Sequence, residues 1–289
     1  MGNFQFKAFT IKTILFFNFL LLTSIQIQAQ SLVMGSYNLR FDDLNDKKNA
    51  WRDRSVAIKA LIRFHNFDII GTQEAFDSQL QDLVTALPQY SVYGKGRDDG
   101  TKKGEHSAIL YKKDRFTLLN QGDFWLSATP NQPSLGWDAT CCNRLCTWVY
   151  LKDKKTKKSF YVFNAHYDHI GKQARIESSK LILTKVTEIA GNKPVIFTGD
   201  LNGDHNSEPY QIIKNSSVFE DSFKLVDYPY ATTNSYNGFG ANLIGNAIID
   251  HVFVSKHFEV KRWGVLTDSY NGRYPSDHFP ILSEVLLKK

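Results

Sequence analysis

Glu74, His166, Asp200, Asn202, Asp277 and His278 lie far apart in the chain, yet each stands where a short apolar run meets a polar turn. Each side chain can hold a divalent cation, move a proton or donate to a phosphoryl oxygen. Together they suit hydrolysis of a phosphoester, which sets three requirements. Charge building on phosphate oxygens must be neutralised, a water must be deprotonated and aimed in line, and the leaving oxygen must be stabilised. Carboxylates holding Mg²⁺ or Mn²⁺ meet the first and last, and histidines and amides the other.

Six places carry these residue types. They are Ser36–Arg40, Gly71–Glu74, Asn164–His169, Gly199–Asn202, Ile249–His251 and Ser276–Pro280. Singly, each is ordinary. A Glu after a strand is usually solvated, Gly199-Asp200-Leu201-Asn202 reads equally well as a turn, and an Asp-His pair as a cap. Random turn polarity rarely selects Glu, His, Asp, Asn, Asp and His this consistently.

The elements that must position these residues alternate along the chain. Strands are expected at Leu32–Leu39, Phe67–Gln73, Ser107–Tyr111, Phe116–Leu126, Leu145–Leu151, Phe160–Ala165, Pro194–Thr198, Ile248–Val254 and Ile281–Leu287, from their β-branched and aromatic content. Amphipathic helices are expected at Trp51–Phe64, about Ser78–Leu87, and Arg175–Ile189. The basic run Lys152–Lys158 reads as a solvated hairpin turn. Periodicity alone supports a mixed α and β chain with no repeat or linker dividing it.

The ordered set Tyr37-Asn38, Gln73-Glu74, His166-x-Asp168-His169, Gly199-Asp200-x-Asn202, Ile249-Asp250-His251 and Ser276-Asp277-His278 resembles the endonuclease/exonuclease/phosphatase superfamily. The likeness runs from about Leu32 to Leu287 and is poorly specific for substrate. It implies an α/β (α+β) class, a four-layer α/β/β/α sandwich of DNase I type, with the site where strand-end loops gather. It implies Glu74 as the principal ligand of Mg²⁺ or Mn²⁺, with Asp277 near the metal and Asn38 touching the metal shell or a phosphate oxygen. Asp200 would activate the water and Asn202 would bind a phosphate oxygen. His278 would act as acid/base or hydrogen-bond donor, held in orientation by Asp250, and His166 would stabilise the phosphoryl charge. Asp168 and His169 would support their loop. Two further stretches match small bacterial members: Gly104–Tyr111, and Gly136-Trp137-Asp138 followed by Arg144 and Cys146-Thr147-Trp148. Arg144 is expected either to clamp a phosphate or to form a surface salt bridge. His106 either lines the cleft or is structural, and His65, His205 and His257 have no motif around them.

Residues 1–29 read as a secretory signal peptide: Lys7 and Lys12, an apolar run from Ile14 to Leu22, and Ala29 before the cut. The run is shorter than the roughly 20 residues of a bilayer span. This predicts export to the periplasm or beyond the cell, a domain over 30–289, and no stable membrane insertion once the leader is removed. Loss of the two lysines lowers a formal charge of +6. The remaining excess is compatible with an anionic substrate but is small for a nonspecific nucleic-acid binder. Cys141, Cys142 and Cys146 are an odd count for an exported protein. One bridge among them is open, and a zinc site there lacks a fourth ligand. The expected substrate is a small phosphoester first, a nucleic acid second and a lipid third. Phe124-Trp125-Leu126 is a weak candidate for membrane contact and reads better as a core strand. A noncatalytic module on the same fold is the competing class, but such a module would have lost some of the site residues.

Overall fold

The computed structural model describes residues 31–288, so the expected leader lies outside the described residues. Two six-stranded sheets lie face to face, with helices on their outer sides. The first sheet contains β1 (Leu32–Asn38), β2 (Ile69–Gln73), β3 (Tyr90–Tyr93), β4 (Ile109–Lys112), β11 (Phe258–Val265) and β12 (Ile281–Leu287), in the order β11-β12-β1-β2-β4-β3. The second contains β5 (Phe116–Trp125), β6 (Leu145–Asp153), β7 (Ser159–His166), β8 (Val195–Asp200), β9 (Glu220–Asp221) and β10 (Asp250–Val254), in the order β5-β6-β7-β8-β10-β9.

Each sheet has a parallel pair at its centre, β1 with β2 and β7 with β8. Strands covered on both faces must be apolar along their whole length rather than alternating. β2, β8 and β10 accordingly bury every residue. The edge strand β5 is exposed through its middle.

Three apolar clusters define the layers. Met34, Ile69 and Ile281 of the first sheet meet Val162, Ile196 and Val252 of the second in the central core. Ile58, Ile62 and Leu83 of α1 (Trp51–His65) and α2 (Asp77–Ala86) cover the outside of the first sheet. Ile182 and Val186 of α3 (Lys172–Ala190), with Tyr210 and Ile213 of α4 (Glu208–Lys214), cover the second. This is the four-layer sandwich. Among the described residues no helix is long and apolar enough to cross a membrane.

Near the site the sheets approach through polar groups. The Asn164 amide donates to Thr72 O (2.8 Å) and Ala108 O (3.0 Å), and the Gln73 amide donates back to Asn164 Oδ1 at 2.7 Å. Gly71 makes this approach possible. A Cβ there would sit 2.5 Å from Asn164 Oδ1 and against Thr198 Oγ1, inside van der Waals contact. Gly71→Ala should therefore cost about 1–3 kcal/mol through overpacking, lowering Tm by about 2–4 °C per kcal/mol. An unchanged thermal midpoint would show that the sheets separate there at no cost.

β3, β9, β11 and α4 were not expected, and several boundaries differ. The strand expected from Ser107 starts at Ile109, and the one expected from Ile248 starts at Asp250. α3 begins three residues before Arg175 because Asp138, in the distant 127–143 loop, accepts from Gln173 N (2.9 Å) and Ala174 N (2.6 Å) at the helix start. Phe124, Trp125 and Leu126 are buried, which removes the one candidate for membrane contact.

Candidate active site

Register gathers the site. Asn38 pairs with Gln73 at one end of the first sheet. His166, Asp200 and Asp250 form one row across the second, His166 opposite Asp200 and Asp200 opposite Asp250. β12 starts at Ile281 opposite Ser36, so Ser276–Pro280 passes over the same end, and Ser276 Oγ donates to Asn38 O at 2.7 Å. Three residues just past strand ends hold left-handed backbone: Arg40 (φ 55°), Glu74 (φ 67°) and Asn202 (φ 45°). Non-glycine residues adopt this conformation at a cost, which surrounding contacts must offset. For Arg40 the contacts come from Arg54 of α1, whose guanidinium donates to Leu39 O, Arg40 O and Pro275 O.

Asn38 lies beneath the acids. Its Nδ2 donates to Glu74 Oε1 (2.9 Å) and Asp200 Oδ2 (3.1 Å), while its Oδ1 accepts from Arg40 N (2.9 Å). One amide thus joins the carboxylates of the two sheets. Arg40 stands between the remaining acids, with Nη1 3.9 Å from Glu74 Oε2, Nε 3.9 Å from Asp277 Oδ2 and Nε 2.9 Å from Asp46 Oδ2.

A second group lies on the β7 side. Arg144 is buried and does not form the surface salt bridge that was one of its two expectations. Its Nη1 donates to His166 Nδ1 (2.9 Å) and its Nη2 to His169 Nδ1 (2.8 Å). Burial, then the charges of Arg144 and Arg97, hold the His166 pKa well below the ordinary imidazole value. His166 is therefore neutral. With Nδ1 accepting, its proton sits on Nε2, 3.6 Å from Asp200 Oδ2; the Asn202 amide nitrogen 3.1 Å away is a second donor beside it and gives its hydrogen bond to Tyr167 O (3.0 Å). Asp168 turns the loop, accepting from Ile170 N (2.9 Å) and Gly171 N (2.6 Å).

The third group is His278 with Asp250. Asp250 Oδ2 lies 2.8 Å from His278 Nδ1, and His278 Nε2 lies 3.8 Å from Asp200 Oδ2. Burial opposes charge on His278. The Asp250 carboxylate and its hydrogen bond, then Asp200 and Asp277, outweigh it and raise the pKa well above the ordinary value. Burial and neighbouring Asp250 push Asp200 upward, against His278 and the hydrogen bonds from Asn202 and Asn38. The row thus contains one neutral imidazole, one protonated imidazole and a carboxylate with raised proton affinity between them. Groups driven in opposite directions by their surroundings can exchange protons near neutral pH.

These groups open into one cleft of about 540 Å³. Its lining also contains residues to which the sequence pointed weakly or not at all: Arg40, Arg97, Glu105, Cys142 and Tyr236. Arg97 Nη1 donates to Glu105 Oε2 at 2.6 Å, and burial pushes the Glu105 carboxyl up to about 7. Nothing local marks Arg97. Its place is set by backbone pairing of its N–H with Glu105 O (3.0 Å). Cys141 and Cys142 are joined in a disulfide at the cleft, while Cys146 is free and buried. His106 is buried with Nδ1 3.2 Å from Ala75 O, under the turn that follows Glu74. Of its two expected roles, this is the structural one.

The donor set suits a hard divalent cation. Glu74 Oε1 accepts only from Asn38 Nδ2, and Glu74 Oε2 only from Phe41 N at 3.3 Å, among the described residues. Asp277 Oδ2 has Arg40 at 3.9 Å as its ion-pair neighbour. Two oxygen-donor acids with unused lone pairs at one cleft match Mg²⁺ or Mn²⁺ better than a thiol- or imidazole-seeking ion.

A model of the Endonuclease/Exonuclease/phosphatase family matches residues 35–278. The chain belongs to this family. It is 45% identical to an endonuclease/exonuclease/phosphatase family protein of Bacteroides thetaiotaomicron, over 91% of this chain and 100% of that one, with a TM-score of 0.88. It is also 45% identical to a mannosyl-6-phosphatase of the same organism, over 89% of this chain and 100% of that one, with a TM-score of 0.85. The catalytic domain of human Nocturnin, with bound sulfate, shares the fold at 21% identity, a TM-score of 0.69, and coverage of 89% and 94%. Members of the family hydrolyse phosphoester bonds and typically use divalent metal ions.

Proposed function

We propose that this chain is a Mg²⁺- or Mn²⁺-dependent phosphatase acting on a small phosphorylated sugar outside the cytoplasm, after export by its leader. The observation that carries the reading is the pairing of Arg97 and Arg144 in one cleft with His166, Asp200, Asn202 and His278. A monoester presents more negative charge on its nonbridging oxygens than a diester, and two guanidinium groups, Arg144 buried and Arg97 half-buried, match that charge. The cleft's volume suits a single small ligand. A relative at 45% identity is a mannosyl-6-phosphatase.

Glu74 and Asp277 would hold the metal, which when bound neutralises charge on the phosphoryl and leaving oxygens. Asp200 takes the proton of the attacking water. His166, through Nε2–H, and the Asn202 amide donate to phosphoryl oxygens as charge develops, an arrangement already in place before reaction. Arg144 keeps the His166 proton on the nitrogen that faces the reacting group. Water oxygen bonds to phosphorus as the ester bond breaks, and protonated His278 supplies the leaving oxygen with its proton.

Purified protein is expected to hydrolyse nitrophenyl phosphate and hexose 6-phosphates with Mg²⁺ or Mn²⁺, and to lose this activity in EDTA. Activity that survives EDTA would remove the metal from the reading. A panel that includes bis-(nitrophenyl) phosphate, plasmid DNA, RNA and sphingomyelin tests the substrate. Cleavage of DNA or RNA without hydrolysis of sugar phosphates would replace the phosphatase by a nuclease. Arg144→Lys should raise KM for a monoester about 10-fold or more, because an ammonium cannot hold His166 and His169 together as the planar fork does. Steady-state kinetics with an unchanged KM would exclude Arg144 from substrate binding.

A further inference from the structure

Outside the catalytic cleft, His205, Asp221 and His251 bring three ligand atoms within 4.8 Å of one another. They come from three segments: the loop after Asn202, β9 and β10. Successive residues of a strand point to opposite faces, so Asp250 turns toward His278 while the neighbouring His251 joins the outer layer. There its ring packs against Phe253 (5.4 Å between centroids) and Tyr210 (5.0 Å).

Two features of this cluster differ from an ordinary buried polar network. His205 Nε2 is buried and makes no hydrogen bond, although it lies 3.2 Å from Asp221 Oδ2. The two atoms are close without being aligned on each other, as expected for two donors aimed at a common point. Ligand atoms about 2.0–2.2 Å from a tetrahedral zinc are separated from each other by about 3.4 Å. Neighbouring groups hold the side chains, Asp221 in part through the same Oδ2 that faces His205. His251 Nε2 lies 3.0 Å from Gly203 O, which leaves Nδ1 as the nitrogen free to take a ligand. Asp221 accepts from Tyr210 OH (2.8 Å) and Phe223 N (3.0 Å). Hydrogen bonds of this kind orient histidine and carboxylate ligands in metal sites.

Charge balance points the same way. Asp221 is 2% exposed, and among the described residues its one ion-pair neighbour is His205. Among the described residues no lysine or arginine pairs with it. A buried carboxylate requires a compensating positive charge.

We infer that His205, Asp221 and His251 form a second metal site, for zinc or a similar imidazole-binding divalent ion. Two imidazoles and one carboxylate select such an ion over Mg²⁺. The ion ties β9 and β10 to the 201–207 loop and so stiffens the segment that carries Asn202.

The test uses a Glu74→Gln/Asp277→Asn double variant of the whole protein, which removes the two carboxylates proposed to hold the metal in the cleft and makes the outcome independent of the proposed reaction. After dialysis with ZnCl₂ and then metal-free buffer, elemental analysis should find one zinc per chain, and zinc should raise Tm. Cobalt in its place should give the visible absorption of a tetrahedral site. Adding His205→Gln or His251→Gln should abolish retention while the circular dichroism of the fold is kept. No retained zinc and no Tm shift in the double variant would overturn the inference. So would equal zinc retention after His205→Gln.

Discussion

Asp200→Asn is expected to lower kcat by about 10²–10⁴-fold with little loss of folded protein. The change is nearly isosteric and removes the charge. One oxygen remains to accept from Asn202 N, as Asp200 Oδ1 does at 2.9 Å. The other position becomes an amide that faces the Asn38 amide, now 3.1 Å from Oδ2, and the His166 and His278 imidazoles at 3.6 and 3.8 Å. It cannot take a proton from water. The loss should fall on kcat, with KM for the monoester changed much less. Steady-state rates with saturating Mn²⁺, with metal affinity measured separately, distinguish loss of the base from loss of the metal. Wild-type turnover would show that another group activates the water.

Asp250→Asn should have the second-largest effect, about 10²-fold on kcat, though Asp250 is wholly buried and does not line the cleft. Its influence passes through His278, whose raised pKa rests on the Asp250 charge and hydrogen bond. Removing the charge lets burial dominate, and His278 loses the proton that the proposed mechanism gives to the leaving oxygen. A stability signature follows in the metal-free protein. A histidine whose pKa is raised on folding contributes stability that is fully present below its unfolded value, about 6.5. That contribution is lost as pH rises through the raised folded value. Tm in EDTA should therefore decline with rising pH more steeply in the wild type than in Asp250→Asn. Parallel profiles would mean that the pair does not hold the proton.

Much of the fold was legible because the central strands are buried on both faces. β1, β2, β7, β8 and β10 are mostly apolar and buried, each close to a chemically distinctive residue, and β12 stays legible despite Ser283 and Glu284 in its middle. The edge strands were less visible. β3 has one buried residue of four, and β9 has two residues in all. β11 mixes buried Val260 and Trp263 with exposed Lys261 and Arg262 across a register shift, which breaks the alternation that marks a strand. The four-layer arrangement itself was implied by the family resemblance, not by periodicity.

The candidate site divides in the same way. Glu74, His166, Asp200, Asn202, Asp277 and His278 stand out in the sequence because residue type and strand-end position are local properties. Asn38 and Asp250 stand out too, but only the register shows that one bridges two sheets and the other supports a histidine. Arg97, His205 and Asp221 carry no local sign, and the motif around His251 does not point to them, because the grouping depends on contacts between segments far apart in the chain. Protonation is also decided in three dimensions. His166 and His278 have the same side chain, yet burial beside Arg144 holds one neutral and burial beside Asp250 keeps the other charged. The amino-acid order by itself determined which groups were available and that they belong to one family's chemistry. Tertiary structure decided which groups face one another and where protons reside, since both depend on distance and desolvation, which spacing along a chain does not encode.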